Sequence, residues 1–269
     1  MTITPEWIRQ RRRLSRTALS IAVATGAYGL SFGALSTAAG LSVAQTCAMS
    51  MLIFTGGSQF ALVGVLAGGG SGVSGTASAV LLGSRHLVYG ASISPMLALR
   101  GGWRFLGAQL VIDESTAVAL SGQALGTSRD TDTDRGDAAH NQAADNTHAA
   151  ADSAGRLGFW LTGLGVFLFW NAATLVGAVA GTAIGDPRTF GLDAASPAAF
   201  LALLAPRLRG RPGWATALVA AAVAITVVPV VPAGVPVLIA ALVPVVAVLA
   251  RRGTDTGANE ASDPTQSTP

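Results

Sequence analysis

The chain has 269 residues, 51% of them hydrophobic and 12% charged, with a mean hydropathy of +0.52, whereas roughly 25% of an average soluble domain is charged. This is the composition of an integral membrane protein, and for most of the length it rules out a collagen-like or disordered chain: the 33 glycines and 12 prolines sit among Ala, Val and Leu, as they do in membrane helices. All 17 basic residues are arginine, so a phosphate-loop lysine, a Schiff base and pyridoxal-phosphate attachment have no residue to use, and ATP-driven pumping by this chain is disfavoured. The single cysteine, Cys47, makes neither an internal disulfide nor a cysteine-pair metal site. A pI near 10.0 without a basic stripe of interleaved aromatics beyond the N-terminus points to anionic lipid, not nucleic acid, as the counter-charge.

In chain order, residues 1–16 carry Arg9, Arg11, Arg12, Arg13 and Arg16 against Glu6. No cleavage pattern follows at the right distance, so this segment is expected to be retained and to face the cytosol by the positive-inside rule. Apolar stretches follow at 17–39, 42–67, 73–95, 104–125, 157–184, 213–231 and 234–250, each about the length a helix needs to cross a hydrocarbon core of about 30 Å. The expected fold is all-α: a polytopic transmembrane helix bundle of about seven spans, in two halves (17–125 and 157–250), with some helices broken or re-entrant. Trp103, Trp160 and Trp214 fall near span ends, at headgroup level. A shorter apolar piece, 194–206, precedes Arg207, Arg209 and Arg211 and is half a helix in length.

Seven complete crossings from a cytosolic start would leave Arg100, Arg104, Arg251 and Arg252 on the outer side, against the charge rule. Either a segment is re-entrant or the rule is locally overridden. Glycine pairs and the prolines at 229, 232, 236 and 244 favour broken helices, a form common around transporter sites.

Residues 126–156 contain six Asp and three Arg with almost no bulky apolar residue, and read as a solvated, disordered loop. Asp130, Asp132 and Asp134 imitate the start of a calcium loop, but Arg135 and Asn141 occupy the positions that need Gly and Glu. His140 and His148 are read as loop residues, and no metal or other cofactor is expected. Residues 251–269 form a second polar tail. Gly40-Leu41-Ser42-Val43-Ala44 recurs at a fixed offset as Gly191-Leu192-Asp193-Ala194-Ala195, a faint internal repeat that in secondary transporters relates two bundles around a midplane site.

The informative residues of such a chain are the polar ones at depth, because an ionisable group in a helix centre costs at least about 2.5–3.5 kcal/mol. Arg85 and His86 lie inside the third segment, and Asp113 and Glu114 near the middle of the fourth. Arg85 with Asp113 or Glu114 is the natural ion pair. It serves either as a stitch between helices or as part of a cavity that recognises a zwitterion or moves a proton; His86 titrates near neutral pH in the second case and is a neutral hydrogen-bonding residue in the first. Phe54-Thr55-Gly56-Gly57-Ser58-Gln59-Phe60 interrupts the second segment, either to expose backbone to a ligand or to pack closely through small residues. Asn171, beside Trp170 and Thr174, is interhelical glue or a ligand contact, and Tyr28 and Tyr89 read first as packed aromatics.

Tyr28-Gly29-Leu30-Ser31-Phe32-Gly33, the 54–60 motif, Arg85-His86-Leu87-Val88-Tyr89-Gly90, Asp113-Glu114 and Gly191-Leu192-Asp193 together resemble the azaleucine-resistance (AzlC-type) family, the large subunit of branched-chain amino acid exporters, over about residues 20–205. The resemblance implies a secondary exporter of branched-chain amino acids in the bacterial cytoplasmic membrane, driven by the proton motive force. It also implies a small four-helix AzlD-type membrane partner. On this reading Ser58, Gln59, Arg85, Tyr89 and Asn171 contact substrate, and His86, Asp113 and Glu114 couple protons or form ion pairs. Two features depart from the family pattern: Gly83-Ser84 where Asn is expected, and the Asp-rich insertion. A non-transporting assembly subunit is the rival from another class; an intramembrane enzyme is disfavoured, since no HExxH or CxxC is present.

Overall fold

A computed structural model describes residues 5–127, 137–184, 201, 204–205, 208 and 210–249. Among them the chain is helical, without strands: α1 (Pro5–Ala38), α2 (Val43–Leu52), α3 (Gly57–Ala67), α4 (Gly72–Gly83), α5 (Arg85–Leu97), α6 (Trp103–Gln109), α7 (Asp113–Thr127), α8 (Asp137–Ile184), α9 (Gly210–Val227) and α10 (Val235–Ala240), with further helix at 242–249. The protein is an all-α membrane helix bundle. Trp7–Ala38, Ala149–Ala183 and Gly210–Val227 are long and apolar enough to cross a bilayer. The second arm of the internal repeat, most of the 194–206 piece, Arg207, Arg209, the Asp130–Asp134 run and the tail from 250 lie outside the described residues, as do the side chains of His140 and His148.

The spine of the bundle is α1 packed parallel to α8. Ala22 faces Gly165, Gly26 faces Phe169, Gly29 faces Trp170 and Ala173, Gly33 faces Thr174 to Ala178, and Ala34 and Thr37 face Gly181. On α8 the contact positions 165, 169, 173, 177 and 181 recur every four residues, one row of a helix surface. Small residues along this row let the two backbones approach closely, which drives helix association where no hydrophobic effect operates between helices. A Cβ on Gly29 would lie 2.7 Å from the Trp170 carbonyl oxygen, and one on Gly26 would lie 3.0 Å from Phe169 Cβ.

This parallel pairing supplies a depth scale for everything between. The chain descends through α2, where Ser50 Oγ is 3.3 Å from Thr174 Oγ1, to Phe54, whose ring meets Phe167 at 5.0 Å. It then turns back: Gln59 Nε2 donates to the Met49 carbonyl (3.3 Å), and Phe60 meets Phe32 (5.6 Å) and Trp170 (6.1 Å). Thus the chain turns at half-depth between α2 and α3, and Gln59 at the start of α3 reaches back to the last turn of α2. Gly56 sits in that turn at φ 57°, a conformation that a side chain disfavours.

From the tip at 68–71, α4 runs antiparallel to α3, so that Gly75 comes under Leu62 and Gly83 next to Ser58. A kink at Ser84, itself in the right-handed helical region, hands the chain to α5. This continues to the end where Arg156 Nε donates to the Met96 carbonyl (2.6 Å). After a turn, α6 starts beside Trp160, which Trp103 meets at 6.1 Å, and reaches Leu110 beside Gly163. Then α7 returns, with Val118 against Gly158 and Gly122 against Ala154. Ser115 Oγ pins this second turn, accepting from Ile112 N (3.1 Å) and donating to the Leu110 carbonyl (2.6 Å).

Three predicted spans are therefore interrupted: 42–67 at 53–56, 73–95 at Ser84 and 104–125 at 110–112. Two of the interruptions reverse the chain, which resolves the orientation conflict at one of its two points. Arg100 and Arg104 fall between Met96 and Trp160 at the end of the bundle where Leu14 of α1 packs on Val118 and Ala154. They share that end with the arginine-rich start of α1, as the charge rule requires.

The expected loop at 126–156 needs correction. From Asp137 onward it is the first part of α8, and Ala151 and Ala154 are buried, Ala154 under Leu14 and Val118. Asp152 accepts from Gln123 Nε2 at 2.8 Å. Alanine is the best helix former, and burial of its small face against α1 and α7 outweighs the polar composition.

Candidate functional site

The half-depth turns bring together the residues singled out by the sequence. Ser58 and Gln59 open α3, Arg85 and His86 open α5, and Asp113 and Glu114 open α7. Ser58 lies close enough to Gly83 that a Cβ there would be 3.1 Å from Ser58 Oγ. Arg85 Nη2 is 2.7 Å from Asp113 Oδ2, with the two side chains 26% and 17% exposed. The α2/α3 turn and the α6/α7 turn are tied by Gln109 Nε2, which donates to the carbonyl of Met51 in the last turn of α2 at 2.8 Å. The sequence reading missed Gln109; an amide within an apolar run, four residues before Asp113, was its only signal.

Three helix N-termini thus converge around one guanidinium. The first amides of a helix lack intrahelical acceptors and carry the positive end of its dipole. Gly56 and Ser84, at the head of α3 and α5, provide no side-chain cap. Asp113 and Glu114 in the first turn of α7 suit its dipole, each such placement being worth about 0.3–1 kcal/mol, up to about 2 where partly buried. Arg85 stands at the kink where the carbonyl end of α4 meets the amide end of α5 and the two dipoles offset each other. It is held there by Asp113.

Several polar atoms here are buried without partners among the described residues: Ser58 Oγ, Gln59 Oε1, Arg85 Nε and His86 Nε2. Burying a donor or acceptor unmade costs about 1–3 kcal/mol each, so four in one neighbourhood mark a place built for something polar. The other ring nitrogen of His86 lies 2.9 Å from the Gly83 carbonyl oxygen, which orients the imidazole, and Tyr89 packs edge-on against it at 5.7 Å. Asp113 is within electrostatic reach of His86. Glu114 is half-buried and faces Thr25 of α1, a residue the sequence reading did not single out. The expectation that Asp113 and Glu114 lie mid-helix is corrected: they begin α7 at the break.

Asn171 stands on α8, its Nδ2 donating to Phe167 O at 2.9 Å and its Oδ1 buried without a partner among the described residues. The neighbouring Trp170 stacks on Phe32 at 6.0 Å and lies 3.8 Å from where a Gly56 Cβ would be, so an aromatic wall of Phe32, Phe60 and Trp170 borders the α2/α3 turn. Tyr28 is partly exposed on α1. The arrangement offers a cation and helix ends for a carboxylate, carboxylates and an amide oxygen for an ammonium, and an apolar wall. Among the described residues, no three His, Cys, Asp or Glu are grouped to hold a metal ion.

No curated protein and no solved structure matches the chain. The sequence profile of the AzlC protein family matches residues 20–184, which include both half-depth turns, the Arg85–Asp113 pair and the α1–α8 spine. The chain belongs to the AzlC family, a family of membrane transport-associated proteins.

Proposed function

We propose that the protein is a secondary transporter that exports branched-chain and similar hydrophobic amino acids, driven by the proton motive force. The observation that supports this most is the meeting of three helix N-termini at Arg85, with unpartnered Ser58, Gln59, Arg85 and His86 atoms around it. In transporters of other folds, broken-helix N-termini at the midplane bind anionic substrate groups, and a guanidinium reads a carboxylate in two-pronged fashion. In this reading the substrate carboxylate takes Arg85 and the first amides of α3. The ammonium takes Gln59 Oε1 and the Asp113 carboxylate. The hydrocarbon side chain lies toward the Phe32–Phe60–Trp170 wall, and Glu114 carries the coupling proton. The resemblance supports the branched-chain preference, the small AzlD-type partner and the bacterial inner membrane; the charge distribution supports a cytosolic N-terminus.

The test is efflux of labelled leucine from dipeptide-loaded cells carrying the protein with its neighbouring small membrane subunit. Export above the empty-vector level that is lost in Arg85→Ala, at unchanged membrane abundance, is expected. A second reading, an assembly subunit without transport of its own, is favoured by one fact: the 2.7 Å Arg85–Asp113 contact already satisfies both groups in part. In that case Arg85→Ala would release the partner subunit on purification and leave no separable transport defect.

A further inference from the structure

On α1, Trp7, Ile8, Arg11, Arg12, Ser15 and Arg16 line one concave groove. We infer that this groove binds the phosphodiester headgroup of an anionic phospholipid. The position follows from helix geometry. Residues 17–38 of α1, at about 1.5 Å each, cover about 33 Å, which matches a hydrocarbon core of about 30 Å. Arg16, Ser15, Arg12 and Arg11 follow within the next two turns, the depth of the headgroup layer.

The chemistry fits that depth. Three guanidiniums and a hydroxyl face one groove, and Arg11, Arg12 and Arg16 are exposed; among the described residues none of the three has a carboxylate partner. A guanidinium fork matches phosphate oxygens in pairs, and clustered arginines beside a membrane helix draw anionic lipid. Trp7 and Ile8 give the groove an apolar wall, and Trp7 is anchored against the Leu14–Val118–Ala154 cluster. The groove wall is thereby fixed to α7 and α8 and not to a loose terminus. A general attraction of basic residues to the membrane would need no such wall. Arg13, on the same helix, is outside the groove and separates the two explanations.

Native mass spectrometry of the full chain, titrated with phosphatidylglycerol or phosphatidylcholine, provides the test. The unmodified protein is expected to retain phosphatidylglycerol at least tenfold more tightly. Arg11→Gln/Arg12→Gln/Arg16→Gln should abolish this preference, whereas Arg13→Gln/Arg100→Gln/Arg104→Gln, which removes as much charge at the same end, should keep it. Ser15→Glu, which places a carboxylate in the groove with all the arginines retained, should also lose it, and serves if the triple groove variant does not fold. Equal loss in both triple variants, or retention in the groove variants, would overturn the inference. Competition by millimolar inorganic phosphate alone would also do so, since it would indicate a free-anion site. None of these outcomes depends on the transport reading.

Discussion

Gln109 Nε2 donates to the Met51 carbonyl across 2.8 Å, and this one bond joins two chain reversals that approach half-depth from opposite ends of the bundle. Met51 lies in the last turn of α2, just before the 53–56 turn, and Gln109 closes α6, just before the 110–112 turn. The site residues follow these turns at the starts of α3 and α7, with Arg85 between them at the kink of α4 and α5. Placed this way, ionisable groups avoid a fully dehydrated helix interior, and helix ends are left with unmade hydrogen bonds that a ligand can complete.

The reversals set which end each loop occupies. In a Cys47→Ser background, cysteine at Gly101 is expected to react with a membrane-impermeant thiol reagent from the same side as cysteine at Arg11, and cysteine at Gly40 from the opposite side. Seven complete crossings would instead place 101 on the side of 40.

Part of this was legible in the sequence. Gly56-Gly57 among hydrogen-bonding side chains offered an interrupted helix as one of two readings, because glycine takes the positive φ of such a turn without steric cost. Arg85 and the adjacent Asp113 and Glu114 announced an ion pair, because none is tolerated alone in an apolar chain; that the partner is Asp113 comes from the structure. The reversal itself was not legible: a 26-residue apolar stretch such as 42–67 has the same composition whether it crosses or doubles back. Asp113 was placed mid-helix for the same reason, since nothing in Leu110-Val111-Ile112 signals a turn before the Ser115 hydroxyl closes it. The helix at 137–156 was hidden by its aspartates, although Ala151 and Ala154 are three apart, on one helical face.

Ser58 provides a separation of function from folding. Its buried Oγ has no partner among the described residues, so Ser58→Ala removes an unmade hydrogen bond and is expected to leave stability within about 0.5 kcal/mol or raise it. Leucine efflux at limiting substrate should nevertheless fall severalfold. Thermal unfolding in detergent and efflux on the same preparation check the two halves; a large loss of stability would show that the hydroxyl has a structural partner.

The α1–α8 seam gives the opposite pattern. A Cβ on Gly33 would collide with the Thr174 carbonyl and Ala178 N, and one on Gly177 with the Leu30 backbone. Gly33→Ala is expected to cost about 1–3 kcal/mol through forced separation of the helices, with lower yield of folded protein. Gly64→Ala, which meets nothing within 4 Å, should be neutral or slightly stabilising. Fluorescence size-exclusion after graded heating distinguishes the two.

Arg85 and Asp113 are expected to be coupled. Each is partly exposed, so Arg85→Ala or Asp113→Ala should cost about 1–3 kcal/mol, below the 3–5 of a fully buried pair. The double variant should cost less than the sum of the two. Arg85→Lys should retain most of the stability but not export, because an ammonium restores the pair without the fork that reads a carboxylate.

The most direct test is therefore export by Arg85→Lys. Labelled leucine efflux is measured with the partner subunit present and with membrane abundance matched to the unmodified protein. Efflux reduced at least tenfold in a protein that remains folded and assembled is the result expected if Arg85 reads the substrate carboxylate. Efflux at the unmodified rate would contradict it, and would leave the Arg85–Asp113 pair as a stitch between helices.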